Sequence, residues 1–206
     1  DKDGRRFAVG GSGDFIITVT TTNNHSNIQE ISINPTTPLK STESTFTIPE
    51  DFVIISDDLL SDMTKENSVT EITLGSSIVE VEPGTLSWSS LECIKVNEKS
   101  SSFVSVDCVL FTKDMKNIVA YPPAKDGTTY EISDKTEVIL SKAFTKTSLS
   151  SITLPSGLKT IEEGAFIGSS IVSLTLPDKI VDITLTPNVG FLITGIRTKQ
   201  YLKLNG

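Results

Sequence analysis

Residues able to carry chemistry are few and scattered in this chain. It has one histidine, His25, and two cysteines, Cys93 and Cys108. A nucleophile needs a base beside it and the base needs an orienting partner. His25 has no such neighbour in the sequence, and the same scarcity argues against a zinc site or a disulfide scaffold. Asp1-Lys2-Asp3-Gly4 opens like a calcium loop, but the distal glutamate is missing, so a turn is expected. Gly10-Gly11-Ser12-Gly13-Asp14 lacks the strand, lysine and helix that make a glycine-rich loop hold phosphate, and reads as a flexible turn. Two adjacent carboxylate pairs, Asp57-Asp58 and Glu162-Glu163, fall in predicted turns where solvation is the expected role. A glycosidase pair would need carboxylates brought together from a distance, which spacing alone does not show. The expectation is a non-enzyme with no catalytic residue, no metal and no cofactor. Asn24-His25-Ser26 is an N-glycosylation acceptor pattern at Asn24, relevant only to a protein secreted by a eukaryote.

The chain has 206 residues, a net charge of −8, 37% hydrophobic and 21% charged content. The acidity argues against nucleic acid as a partner, because phosphates require a basic face. No apolar run approaches the roughly 18 residues of a membrane helix, so no membrane segment is expected. The chain has no initiator Met and no signal peptide, which suggests a mature or excised piece. Short runs of Val and Ile among many Ser and Thr favour strands over long helices.

What those strands must do follows from a repeat. Leu149, Ile152, Leu154 and Pro155 recur 22 residues later as Ile171, Leu174, Leu176 and Pro177. Ala143-Phe144 recurs as Ala165-Phe166, and Ile139 as Ile161 and then Ile183. Val69, Ile72 and Leu74 map on Leu91, Ile94 and Val96 by the same 22. Thr85-Leu86 stands in the Ala-Phe slot of that earlier copy. Ile48-Pro49, Phe52, Ile55 and Leu59-Leu60 form one more copy, whose step from Ile48 to Leu74 is 26. From Val96 to Ile132 the step is 36. The surplus reads as two strands, Ser105–Thr112 and Asn117–Tyr121, joined by a polar turn at Lys113-Asp114.

A unit of this size is too short to bury a core alone, whereas stacked units bury a continuous one. The I-x-L segment alternates as a strand, and copies stack into a parallel sheet with neighbours about 4.8 Å apart. Proline after the strand ends the ladder. Every Leu, Ile, Val and Phe of the pattern is expected to be core.

"SLSSITLPSGLKTIEEGAF" and "SVDCVLFTKDMKNIVAYPPAKDGTTYEIS" together resemble the BspA-like leucine-rich repeats of surface proteins from some bacteria and parasitic protists. The second stretch is similar to the insertion those proteins carry, written V-D-G-V-L-F followed by Y-P-P and Y-x-I-P. Cys108 stands where the family has Gly, and Ser133 where it has Pro. The resemblance, over about Phe46 to Ile183, implies a β-rich solenoid with a parallel sheet and one inserted β-hairpin. It also implies a cell-surface or secreted place and a role in adhesion. An N-terminal β cap is expected because an open solenoid end exposes core and edge.

The domain reading is an N-terminal β segment, cap or degenerate repeat at 1–40 and repeats at 41–185. The hairpin insertion lies at about 103–123, and a C-terminal cap or truncated repeat at 186–206. Strands are expected in "DFIITVTTT" and "NIQEISINP". Two free thiols are the favoured expectation for Cys93 and Cys108, with a disulfide tying hairpin to sheet as the alternative, because spacing leaves the hairpin's orientation open. By alternation the outward residues are Glu71, Thr73, Cys93, Lys95, Glu131, Ser151, Thr153, Ser173 and Thr175. In register they would form one continuous face, and Cys93 apart they are the candidate ligand-binding residues. Tyr121, Pro122 and Pro123 of the hairpin are a second candidate, with packing on the next repeat the favoured role for Leu110, Phe111 and Tyr121. The functional expectation is a non-catalytic module that binds an extracellular or host protein. A structural spacer or self-assembling module and a glycan-binding protein are the alternatives.

Overall fold

A 22-residue step can place one residue of each copy directly over its equivalent only if the chain coils, and it does. The computed structural model describes residues 15–18, 30–33, 44–50, 52–60 and 69–178, together with strands at 182–185, 192–194 and 201–204. Strands β1 (Phe15–Thr18) and β2 (Glu30–Ile33) pair antiparallel, Phe15 with Ile33. From Thr45 onward the chain winds as a parallel-sheet solenoid with two strand-bearing sides.

The first side carries β3 (Thr45–Thr47), β5 (Glu71–Leu74) and β7 (Cys93–Val96) in one sheet. It continues in β11 (Thr129–Glu131) with β13 (Ser151–Thr153), and β15 (Ser173–Thr175) with β17 (Leu192–Thr194). The second side starts with β4 (Ile54–Ile55) and β6 (Glu80–Val81). It ends with β12 (Val138–Ile139), β14 (Thr160–Ile161), β16 (Asp182–Leu185) and β18 (Tyr201–Leu204). The register reproduces the sequence steps. Ile72 pairs with Ile94, Tyr130 with Ile152 and Ile139 with Ile161, each 22 apart, and Phe46 pairs with Ile72, 26 apart. Past Ile183 the stacking continues with a step of 19, Ile183 to Leu202 and Leu174 to Ile193. The 22-residue period therefore ends before the parallel winding does.

The inserted segment differs from the expected strand pair. Ser105–Thr112 is divided by a tight turn into β8 (Phe103–Val106) and β9 (Val109–Thr112), and β10 (Asn117–Ala120) completes a three-stranded meander. Asp107 and Cys108 both have positive φ, 49° and 64°. A two-residue hairpin loop with that signature is a type I′ turn, which matches the twist of its strands. Strand β10 then runs parallel to β12, Ile118 beside Ile139, so it serves as the second-side strand of its own coil.

The two inner strands of the meander, β9 and β10, are buried on both faces. Val109, Phe111 and Ile118 join the core that contains Phe144, Leu158 and Phe166. Phe103, Leu110 and Val119 join the core that contains Ile55, Ile72 and Trp88. Period-2 alternation thus makes the insertion a partition between two halves of the interior. On the turn side of the coils, Tyr121, Phe144 and Phe166 stack with ring centroids 5.4 and 5.3 Å apart. Ala143 and Ala165 are buried, letting Phe144 N–H donate to the Ala165 carbonyl at 2.7 Å.

The two cysteines are bonded to each other, against the favoured expectation of free thiols. Cys93 points from the outer face of β7, as alternation requires, but the turn at Asp107-Cys108 lies over it. Ile94 N–H donates to the Cys108 carbonyl, and Ser105 Oγ donates to the Ile94 carbonyl. Together these bonds seat the meander tip along the free edge of β7.

Loops are tied across coils as well. Glu50 Oε2 accepts the Ser76 N–H at 2.8 Å, the Ser76 hydroxyl at 2.7 Å and the Ser77 N–H at 3.3 Å. Glu50 Oε1 accepts from Asn97 Nδ2 at 3.1 Å, so one carboxylate links three coils. The Ser76 hydroxyl, outweighing a smaller opposing burial effect, holds the Glu50 carboxyl below the usual carboxylate range.

Three outcomes are expected. Phe144→Ala removes the middle ring of the stack and should lower stability by roughly 3–5 kcal/mol in chemical denaturation. The disulfide spans 15 residues, so its reduction should cost about 3 kcal/mol on the chain-entropy account, read as a lower unfolding midpoint that Cys93→Ser reproduces. Because folding lowers the Glu50 pKa, its contribution is full at neutral pH and lost as pH falls through the acid carboxylate range. Unfolding midpoints measured from pH 7 to pH 3 should show the parent ahead of Glu50→Gln at the neutral end, with the gap closing at the acid end.

Candidate functional site

Strands whose alternate residues fill a stacked core must aim the others at solvent. Ser151, Thr153, Ser173 and Thr175 flank buried Ile152 and Leu174 and are exposed. Glu131 lies beside Thr153 in register, and Thr129, absent from the candidate set, lies beside Ser151. Subtracting 22 from Ser151 was the signal that would have found Thr129. Thr194 takes the next register position after Thr175. Near the other end, Glu71 pairs with Cys93 and Thr73 with Lys95.

The face is not continuous. Strand β7 ends the first sheet, because the meander tip holds its outer edge and β11 opens a separate sheet. Strands β13 and β15 lie side by side, so from β11 onward the face runs unbroken. The structure therefore brings the eight candidate residues together in two groups. Glu71, Thr73 and Lys95 form one, and Glu131, Ser151, Thr153, Ser173 and Thr175 form the other.

Charge in the first group is internally matched. Lys95 Nζ lies 2.7 Å from Glu71 Oε2, with 54% of the lysine and 27% of the glutamate side chain exposed. An exposed pair of this kind stabilises by about 0.2–1 kcal/mol. It leaves little net field for a ligand. The second group presents hydroxyls and the one carboxylate of Glu131.

The second candidate is corrected. Tyr121, Pro122 and Pro123 are all buried, as the packing role expected for Leu110, Phe111 and Tyr121 requires. Tyr130 meets the Tyr121 ring edge-on at 4.9 Å. Burial, with the nearby Asp107 carboxylate adding to it, pushes the Tyr121 phenol up to about 12, and burial raises Tyr130 as well. Neither phenol is a candidate acid or base at neutral pH.

The carboxylate pairs have structural surroundings. Asp57 and Asp58 begin a short helical turn at 57–60 and are exposed. Glu162 Oε2 accepts the Ser141 N–H at 2.9 Å, and the Glu163 carbonyl accepts from Ser141 Oγ at 2.6 Å, which ties adjacent coils. On the second side Glu137 sits between Lys159 at 2.5 Å and Lys116 at 3.4 Å, and the Lys159 hydrogen bond leads in lowering its pKa. Asn24, His25, Asp1, Asp3 and Gly10–Asp14 lie outside the described residues. Among the described residues, no cluster of His, Cys, Asp and Glu could hold a metal ion, and no helix is long and apolar enough to cross a membrane.

The chain is similar to one family model and to several solved structures. The family model of the BspA type leucine rich repeat region (6 copies) matches residues 124–186. A leucine-rich repeat protein from Eubacterium ventriosum superposes with a TM-score of 0.62 at 23% identity, over 76% of this chain and 44% of that one. The pneumococcal vaccine antigen PcpA gives 0.47 at 24% identity, over 68% of this chain and 46% of that one. A leucine rich cell surface protein from Faecalibacterium prausnitzii gives 0.41 at 17% identity, over 79% and 60%. This chain thus spans less than half the length of the first two. No curated protein matches it. The fold is shared with the Eubacterium protein, and residues 124–186 of this chain are a BspA-type leucine-rich repeat region.

Proposed function

We propose that this chain is a non-catalytic, cell-surface or secreted repeat module that binds an extracellular or host protein through its outward strand face. The observation that carries the reading is the exposed hydroxyl face Thr129–Ser151, Thr153, Ser173 and Thr175, held on strands whose alternate residues are core. A rigid, extended surface of this kind is what repeat proteins use for macromolecular contacts. The Cys93–Cys108 disulfide supports an oxidising location, since such bonds persist outside the cytosol. Residues 124–186 belong to a repeat class that serves as an interaction scaffold, which supports binding over catalysis.

Pull-down from host cell-surface and matrix extract, with parent and a Thr153→Glu/Thr175→Glu variant, tests the reading. The expected result is a partner retained by the parent and reduced about ten-fold in the variant, the yield of one to two lost contacts at 1.4 kcal/mol per decade. Both substitutions are at exposed positions, so an unchanged unfolding midpoint is expected alongside. Capture by neither protein, with concentration-dependent self-association, would replace the reading with a spacer or assembly role. Glycan-array binding without protein capture would replace it with a lectin role.

A further inference from the structure

The turn side of the solenoid has a gap. Coil by coil, this side carries Gly84-Thr85-Leu86, then the short Tyr121-Pro122-Pro123 segment, then Lys142-Ala143-Phe144 and Gly164-Ala165-Phe166. The proline segment is buried, and a groove of about 580 Å³ opens between the turns on either side of it. No residue of the proline coil lines that groove.

Its walls carry two anomalies. Lys142 and Lys146 have φ of 59° each, and their equivalents 22 residues later are Gly164 and Gly168, with φ of 67° and 68°. The backbone requires the left-handed conformation at both places, and a side-chain-bearing residue there is disfavoured. Lysine occupies both only in the coil that borders the groove, and both side chains are exposed. Strain of this kind gathers at ligand clamps. The second anomaly is in the floor. Thr85 takes a slot that is alanine in later coils, so the groove floor carries a hydroxyl-bearing residue where its equivalents have only a methyl.

We infer that this groove binds a short protein segment in which a carboxylate side chain neighbours an apolar one. The inference rests on the protein-binding reading above but assigns a different surface. The two ammonium groups receive the carboxylate. Ile167, 40% exposed on the rim, gives its apolar side chain a contact. Asp57 on the opposite rim and the net charge of −8 weigh against a polyanionic glycan.

The probe is a fluorescent peptide with one Asp flanked by Leu, compared with its Asn–Leu counterpart by anisotropy on the intact chain. Binding of the first, about five- to ten-fold weaker for the second, is expected from two exposed ion pairs. Lys142→Gly/Lys146→Gly restores the glycines of the next coil. It should lose the same five- to ten-fold with an equal or higher unfolding midpoint. If that variant is destabilised, Lys142→Met/Lys146→Met keeps both stems and decides the question by the same loss. Equal binding of both peptides, no binding of either, or retention by the methionine variant overturns the inference, as does heparin binding more tightly than the Asp–Leu peptide. The Thr153→Glu/Thr175→Glu variant should still bind the peptide, which separates failure of this site from failure of the strand face.

Discussion

A coil of about 22 residues encloses too little volume to bury a side chain on its own, and every other feature of this molecule answers to that constraint. Each coil must lie against the next in register, or its Ile, Leu and Phe face water. Register is therefore set by burial, and hydrogen bonding follows it. Ile72 over Ile94 and Ile139 over Ile161 are adjacent because both are core, and their strands pair as a consequence. The same demand explains the polar links at the loops. Glu50 and Glu162 bridge neighbouring coils at the places where the chain leaves the core and backbone N–H groups would otherwise lack acceptors.

Inserting extra chain into such a stack is a problem, because anything between two coils must itself be core on both faces. The meander meets that condition. Phe111 faces one half of the interior and Leu110 the other, one residue apart. The same arrangement interrupts both exposed surfaces. On the strand side it occupies the edge of β7 and divides the outward face. On the turn side its coil closes through Tyr121-Pro122-Pro123, too short to fill its place, and leaves the groove. One insertion thus shapes both surfaces on which binding is proposed.

Cys108 shows how a local choice and a distant one are joined. A type I′ turn favours glycine at this position, and cysteine there is conformationally costly. The bond to Cys93 fastens the turn that this residue disfavours, and does so over the one strand edge the insertion must cover. Neither cysteine makes sense from its own neighbours.

The repeat, the strand periodicity, the alternation of buried and outward residues and the core identity of Phe144 and Phe166 were determined by the sequence alone, because each follows from residue type at fixed spacing. So was the existence of an insertion, from the 36-residue step. What only the tertiary structure decided was everything that depends on how non-repeating chain docks. That includes the disulfide, the burial of Tyr121-Pro122-Pro123, the division of the face and the groove bordered by Lys142 and Lys146. The physical reason is that periodicity fixes an element's orientation only relative to its own copies. A segment that occurs once has no copy to register against, and its place is set by the shape of the cores on either side.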